Sequence, residues 1–154
     1  MRVLAYVGLG ANLGNAAATV RWAMGQLQWL PGTSRVEYSS LYRSDPVEAS
    51  GPDFINAVAA IHTGLTAPGL LCELQHLEQL AGRERPYHHA PRTLDLDLLL
   101  YGDGRIDSAD LTVPHPRLYR RAFVLLPLAE IAPQLVASWQ LQAVRSQPVS
   151  LFEE

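Results

Sequence analysis

The chain has 154 residues, 48% apolar and 18% charged, which fits one ordinary domain with a single buried core and excludes a disordered chain or a coiled coil. All 12 basic residues are arginine, so Schiff-base chemistry, a Walker-A loop and the protein-kinase phosphate lysine are excluded, and any bound phosphate falls to guanidinium groups. A formal charge of -3 argues against nonspecific nucleic-acid binding, and the single cysteine, Cys72, rules out an intrachain disulfide and favours a reducing, cytoplasmic setting.

Val3 to Leu9 reads as a strand buried on both faces. Arg2 and the apolar run after it imitate a signal peptide, but Gly8 and Gly10 interrupt the run, and no stretch approaches the roughly 18 residues of a membrane span. Gly8-Leu9-Gly10 is out of step with a dinucleotide-binding loop, because Leu13 stands where the third glycine belongs. Gly10 to Asn15 instead predicts a turn with an asparagine helix cap. Val20, Ala23, Met24 and Leu27 predict a helix over residues 16–29, closed by Pro31-Gly32. Val36 to Val47 predicts a strand running into a loop at Ser44-Asp45-Pro46-Val47. Phe54 to Thr63 is a clearer strand, with Ile55, Ala57, Ala59 and Ile61 on one face and Phe54, Asn56, Val58 and His62 on the other. A helix follows over residues 68–81, with Leu70, Leu74, Leu77 and Ala81 as its core stripe.

Arg83 to Arg92 reads as a surface loop dense in cationic groups. Thr93 to Tyr101 is the sharpest strand, with Leu94, Leu96, Leu98 and Leu100 on one face and Thr93, Asp95, Asp97 and Leu99 on the other. After a turn at residues 102–104 come a short extended piece, Val113-Pro114-His115-Pro116, and a segment from Arg117 to Ala132 in which Pro127 suits an early helical position. A short helix is expected around residues 137–144. No repeat or linker divides the chain, so residues 1–154 read as one domain. The order strand, helix, strand, strand, helix, strand predicts an α+β, ferredoxin-like split βαβ antiparallel sheet with helices on one face and the ligand site on the other.

Asp95 and Asp97 stand two apart on a strand, so both carboxylates project from one face with Cα atoms ~7 Å apart. Such a pair either solvates an outer face or grips magnesium, which completes its shell with water and substrate phosphate. Arg83, Arg85 and Arg92 in one loop and Arg117, Arg120 and Arg121 in another suit polyphosphate, which guanidinium forks bind bidentately. His115, held between two prolines, has the chemistry to donate to phosphate. His62, His76 and His88 read as surface or packing residues, and the histidine spacing makes no zinc set. Phe54 and Asn56 share a strand face, pairing a flat ring with an amide in a way that suits a planar heterocycle, with Phe123 as a candidate opposite wall. These residues alone leave open a metal-dependent phospho- or nucleotidyltransferase and a ferredoxin-like ligand- or RNA-binding module. An RNA-binding sheet displays aromatics and a basic surface, and two aspartates on the strand face argue against it.

The run His88-His89-Ala90-Pro91-Arg92-Thr93-Leu94-Asp95-Leu96-Asp97 resembles the signature of the 6-hydroxymethyl-7,8-dihydropterin pyrophosphokinases of folate biosynthesis. So do Gly8-Leu9-Gly10-Ala11-Asn12-Leu13-Gly14, Ser40-Leu41-Tyr42-Arg43-Ser44, Phe54-Ile55-Asn56-Ala57, and the stretch from Val113 through Leu128. The resemblance implies transfer of the β,γ-diphosphate of ATP to the pterin hydroxymethyl group with release of AMP. It implies that Asp95 and Asp97 hold two magnesium ions, that Arg83, Arg85, Arg92, His115 and Arg121 handle the ATP phosphates, and that Gln75, Glu78, Leu98 and Thr112 border the nucleotide. Phe54 and Phe123 would sandwich the pterin, Asn56 would bond its polar edge, and the backbone of Ser44, Asp45, Pro46 and Val47 would close around it. Residues 83–91 would form a ligand-driven lid, with His89 where relatives often carry tryptophan. The partners expected are ATP and the pterin, with no nucleic acid and no membrane. The next folate-pathway enzyme is expected as a functional neighbour, and the chain is expected to act as a cytoplasmic monomer.

Overall fold

A computed structural model describes residues 2–45, 51–82 and 94–153. In chain order its elements are β1 (Val3–Ala11), α1 (Ala16–Leu27), β2 (Thr33–Tyr38), β3 (Tyr42–Ser44), β4 (Phe54–Thr63), α2 (Ala67–Ala81), β5 (Asp95–Tyr101), β6 (Ile106–Asp107), β7 (Thr112–Val113), α3 (Ala122–Ile131), α4 (Ser138–Ala143) and β8 (Val149–Leu151). Single 3-10 turns at Leu118–Arg120 and Pro133–Leu135 flank α3.

The sheet is antiparallel, in the order β5, β1, β4, β3, β8, with β2 also paired to β4. This is the α+β, ferredoxin-like arrangement expected from the order of elements. The strand expected over residues 36–47 is two strands lying end to end along β4. Between them Ser39 keeps the pairing going: its N–H donates to the Val58 carbonyl and its Oγ accepts from the Val58 N–H, both at 2.9 Å. The register also slips between Arg35 and Glu37, which leaves Val36 46% exposed and explains the weak alternation there.

α1 and α2 cover one face, where Leu27, Ile61, Leu70, Leu74 and Leu94 are fully buried. Burying a leucine of this kind stabilises by about 1.5–3 kcal/mol. Gly14, at φ +57°, turns the chain out of β1, and Asn15 Oδ1 accepts from the Ala18 N–H at 3.1 Å, the cap expected for the first helix. That helix ends at Leu27, short of the expected residue 29. Thr66 caps α2 in the same way through the Gly69 N–H, with Pro68 in the first turn, where a missing N–H costs nothing.

The second face is shared. α3 covers part of it, packing Leu125 and Leu128, together with Leu118, against Tyr6, Val58, Ala60 and Leu99. Pro127 is interior to α3 and not early, because the helix starts five residues before it; burial on the sheet holds the helix where its own hydrogen bonding is interrupted. On β5 the expected alternation fails at Leu100. The register against β1 slips between Tyr6 and Val7, so Leu99 and Leu100 both pack toward α3 and Tyr101 turns back to the first face. At the end of the described chain α4 is shorter than expected, and β8, which was not foreseen, adds to β3.

Candidate active site

A cavity of about 290 Å³ lies on the second face beside the start of α3. Its floor is set by register. Gly10 of β1 stands between Asp95 of β5 and Asn56 of β4, and Gly8 stands between Asp97 and Val58. Residues directly opposite one another share a face, so the glycines clear the middle of the sheet while carboxylates line one side and an amide the other. With strands about 4.8 Å apart, Asp95 and Asn56 are separated by about 10 Å across the gap that Gly10 leaves.

Ser44, Asp45, Phe54 and Asn56 line the amide side, and Arg121, Phe123 and Val124 form the wall supplied by α3. Asn56 is 3% exposed, and its Nδ2 donates to Ser44 Oγ at 2.7 Å. The Arg121 guanidinium carbon is 5.4 Å from the centroid of the Phe123 ring, so the cation rests beside the aromatic wall.

His115 is fixed at the edge of the carboxylate side. Its backbone N–H donates to the Leu99 carbonyl at 2.9 Å, and its Nδ1 accepts from the Arg117 N–H at 3.1 Å. The neutral ring therefore carries its proton on Nε2, which lies 4.0 Å from Asp97 Oδ1. Burial lowers its pKa below 6.5, reinforced by Arg121 and Arg117 and opposed by Asp95. At neutral pH the approach to Asp97 is thus a dipole facing a carboxylate and not a charge pair.

The residues expected to border the nucleotide do not line this cavity; of them, Glu78 and the Leu98 backbone lie at the outer edge of β5. Glu78 Oε2 accepts from the Leu96 N–H at 2.8 Å, which shows that this N–H points outward from the sheet. By the two-residue period the main-chain groups of Leu98 lie on that same edge, while its side chain is buried in the first-face core. A binding role for Leu98 is therefore confined to its backbone. Gln75 is exposed one turn before Glu78, and Thr112 is exposed on β7. Pro46, Val47, Arg83, Arg85, Arg92 and the expected lid at residues 83–91 lie outside the described residues.

The residues missed by sequence reasoning are the floor glycines, whose Gly-x-Gly spacing was visible without its meaning, and Glu130, which no local pattern singles out. Glu130 accepts from the Tyr42 hydroxyl at 2.7 Å and from the Ser40 N–H and Oγ, each at 3.0 Å, tying the end of α3 to the strand that carries Ser44. Among the described residues no group of three or more His, Cys, Asp or Glu side chains is placed to enclose a metal. Two carboxylates open to a cavity nevertheless fit magnesium, which takes one or two carboxylates and fills its octahedron from water and substrate oxygens. No helix among the described residues is long and apolar enough to cross a membrane.

Two carboxylates, a guanidinium and two phenylalanine rings lining one cavity suit an enzyme that passes phosphate groups to a flat heterocyclic acceptor. The family model for 7,8-dihydro-6-hydroxymethylpterin-pyrophosphokinase (HPPK) matches residues 6–133, and the chain belongs to that family, the ATP-dependent pyrophosphokinases of folate biosynthesis. A 2-amino-4-hydroxy-6-hydroxymethyldihydropteridine pyrophosphokinase from Pseudomonas aeruginosa is 46% identical over 131 residues, covering 84% of this chain and 81% of its own. The Synechocystis enzyme of the same name is 44% identical over 132 residues, 86% of this chain and 68% of its own. The fold matches a crystal structure of a fused HPPK-DHPS in complex with substrates, with a TM-score of 0.69 at 12% identity over 94% of this chain. This chain spans 43% of that fused protein.

Proposed function

We propose that Asp95, Asp97, Arg121 and His115 form the transfer end, and Phe54, Phe123, Asn56, Ser44 and Asp45 the pterin end, of one site. In it the β,γ-diphosphate of ATP passes to the hydroxymethyl oxygen of 6-hydroxymethyl-7,8-dihydropterin. The observation that carries this reading is that both ends open into a single cavity floored by Gly8 and Gly10. Phe54 and Phe123 present apolar walls to a planar ring, and the Asn56 amide presents a donor and an acceptor to its polar edge.

The hydroxymethyl oxygen attacks the β-phosphorus, the bond from that phosphorus to the α,β-bridging oxygen breaks, and AMP departs with the oxygen while the hydroxyl proton is released. Arg121 offers its planar fork to the phosphate oxygens as charge builds on them, and His115 offers its Nε2 proton. A loose transition state asks little of a general base. Magnesium, proposed as two ions held by Asp95 and Asp97, supplies neutralisation of the triphosphate charge. Arg83, Arg85 and Arg92 are proposed to complete the phosphate contacts, with Pro46 and Val47 closing on the pterin. Gln75, Glu78, Thr112 and the Leu98 backbone are proposed to hold the nucleotide along the β5 edge.

The chain is proposed to act as a cytoplasmic monomer of one domain, a setting that its single cysteine favours. The fusion of HPPK to DHPS in the matched structures supports the next folate-pathway enzyme as its functional neighbour. Incubation with ATP, magnesium and the pterin alcohol, with the nucleotides resolved, tests the reaction: AMP is expected, and stoichiometric ADP would reduce the protein to an ordinary kinase.

A further inference from the structure

Arg121 occupies an awkward place. It is the N-cap of α3, with extended backbone at φ -122° and ψ 114°, between the 3-10 turn at Leu118–Arg120 and the helix itself. Helix N-caps favour Ser, Thr, Asp or Asn, whose side chains satisfy the first N–H groups, and the helix dipole disfavours a cation there. The Arg121 side chain makes no capping bond, and it lines the cavity instead.

The bonds that hold this junction come from elsewhere in the chain. Gln147 Oε1 accepts from the Ala122 N–H at 2.8 Å, and Gln147 Nε2 donates to the Arg120 carbonyl, also at 2.8 Å. One carboxamide thus grips the backbone on both sides of Arg121. Gln147 itself is exposed and stands two residues before β8, which is paired to β3, so the grip is anchored to the sheet that carries the opposite wall of the cavity. It also lies outside residues 6–133, the stretch that the family model matches.

We infer that Gln147 is a positioning residue for Arg121: it substitutes for the missing cap, so that the guanidinium is delivered to the cavity at the height the phosphate chain requires. This rests on the assignment of Arg121 to the transfer end. A residue that acts in this way must lose its influence once the side chain it positions is gone.

The test is a double-mutant cycle of Gln147→Met, which keeps length and removes both bonds, with Arg121→Ala, read by single-turnover transfer from ATP and by pterin and ATP-analogue affinities. Gln147→Met is expected to slow transfer about threefold to tenfold, since the two bonds it removes act on transfer only through the position of Arg121, with pterin affinity changed by less than about twofold. In the Arg121→Ala background the same substitution is expected to change nothing further. Gln147→Glu, which still accepts from Ala122 but cannot donate to Arg120, is expected to fall between wild type and Gln147→Met. Undiminished transfer in Gln147→Met, or an equal loss in both backgrounds, would overturn the inference while leaving the role of Arg121 intact. Wild-type transfer in Arg121→Ala would instead remove that role, and the inference with it.

Discussion

Gly10 and Asn56 face each other across β1 and β4, and a Cβ built on Gly10 would stand 3.2 Å from Asn56 Oδ1. Asn56 has little room to yield, since it is buried and its Nδ2 is bonded to Ser44. The backbone at Gly10 is outside the left-handed region, so alanine is tolerated there conformationally, and its methyl presses on the amide and fills part of the cavity floor. Gly10→Ala is expected to weaken pterin binding about tenfold, with a smaller change in ATP affinity, as measured by calorimetry with each ligand. Unchanged pterin affinity would mean that the pterin meets neither Asn56 nor this part of the floor.

Asp95→Ala and Asp97→Ala are each expected to lower turnover at least about a hundredfold, because what they remove is neutralisation of charge in the transition state. Both carboxylates face the cavity and neither belongs to a hydrophobic core cluster, so the far-UV spectrum and melting temperature of the variants should stay close to wild type. Near-normal turnover would return the pair to an ordinary solvated strand face.

In the ligand-free protein the imidazole of His115 is expected to titrate below 6.5 when followed by NMR. Between its folded pKa and 6.5 the unfolded chain binds more protons than the native one. This contribution to stability is therefore complete above 6.5 and is lost as pH falls through that window. His115→Asn should flatten the acid side of the stability profile, and an unaltered profile would contradict the burial argument.

The bond between Tyr42 and Glu130 is expected to matter for stability. Tyr42 is buried, and burial together with the bond to Glu130 raises its phenol pKa far above 10, so it remains a donor across the neutral range. Tyr42→Phe keeps the ring and removes the donor, at an expected cost of about 1 kcal/mol in denaturant unfolding. Combined with Glu130→Met, which removes the acceptor, the losses should be less than additive, since both variants interrupt one contact; full additivity would show that the two groups act separately.

The central elements were legible because their side chains repeat at the period of their own backbone. Ile55, Ala57, Ala59 and Ile61 alternate as a strand must, and Leu70, Leu74 and Leu77 recur as a helix must. Asp95 and Asp97 stood out because charge interrupted an otherwise leucine-rich run. What escaped the reading depends on a distant partner. Val149–Leu151 is a strand only because β3 offers it an edge, and Pro127 stays within a helix only because the sheet buries that helix. The slips at Val36 and Leu99 add a residue against a neighbouring strand, which local periodicity cannot register. Glu130 and Gln147 carry ordinary surface side chains, and their importance lies entirely in whose backbone or hydroxyl they meet.

The two faces of the sheet should age differently under mutation. On the face covered by α1, exchanging a core side chain for one of similar volume, Leu27→Met for instance, alters only how firmly the molecule holds together. On the other face, Leu125 and Leu128 seat the helix whose N-cap is Arg121 and whose first turn carries Phe123, so a change of a methylene there tilts a wall of the cavity. Neutral drift will accumulate beneath α1 and be purged from beneath α3, and lineages descended from one ancestor will differ most in the packing of that first helix.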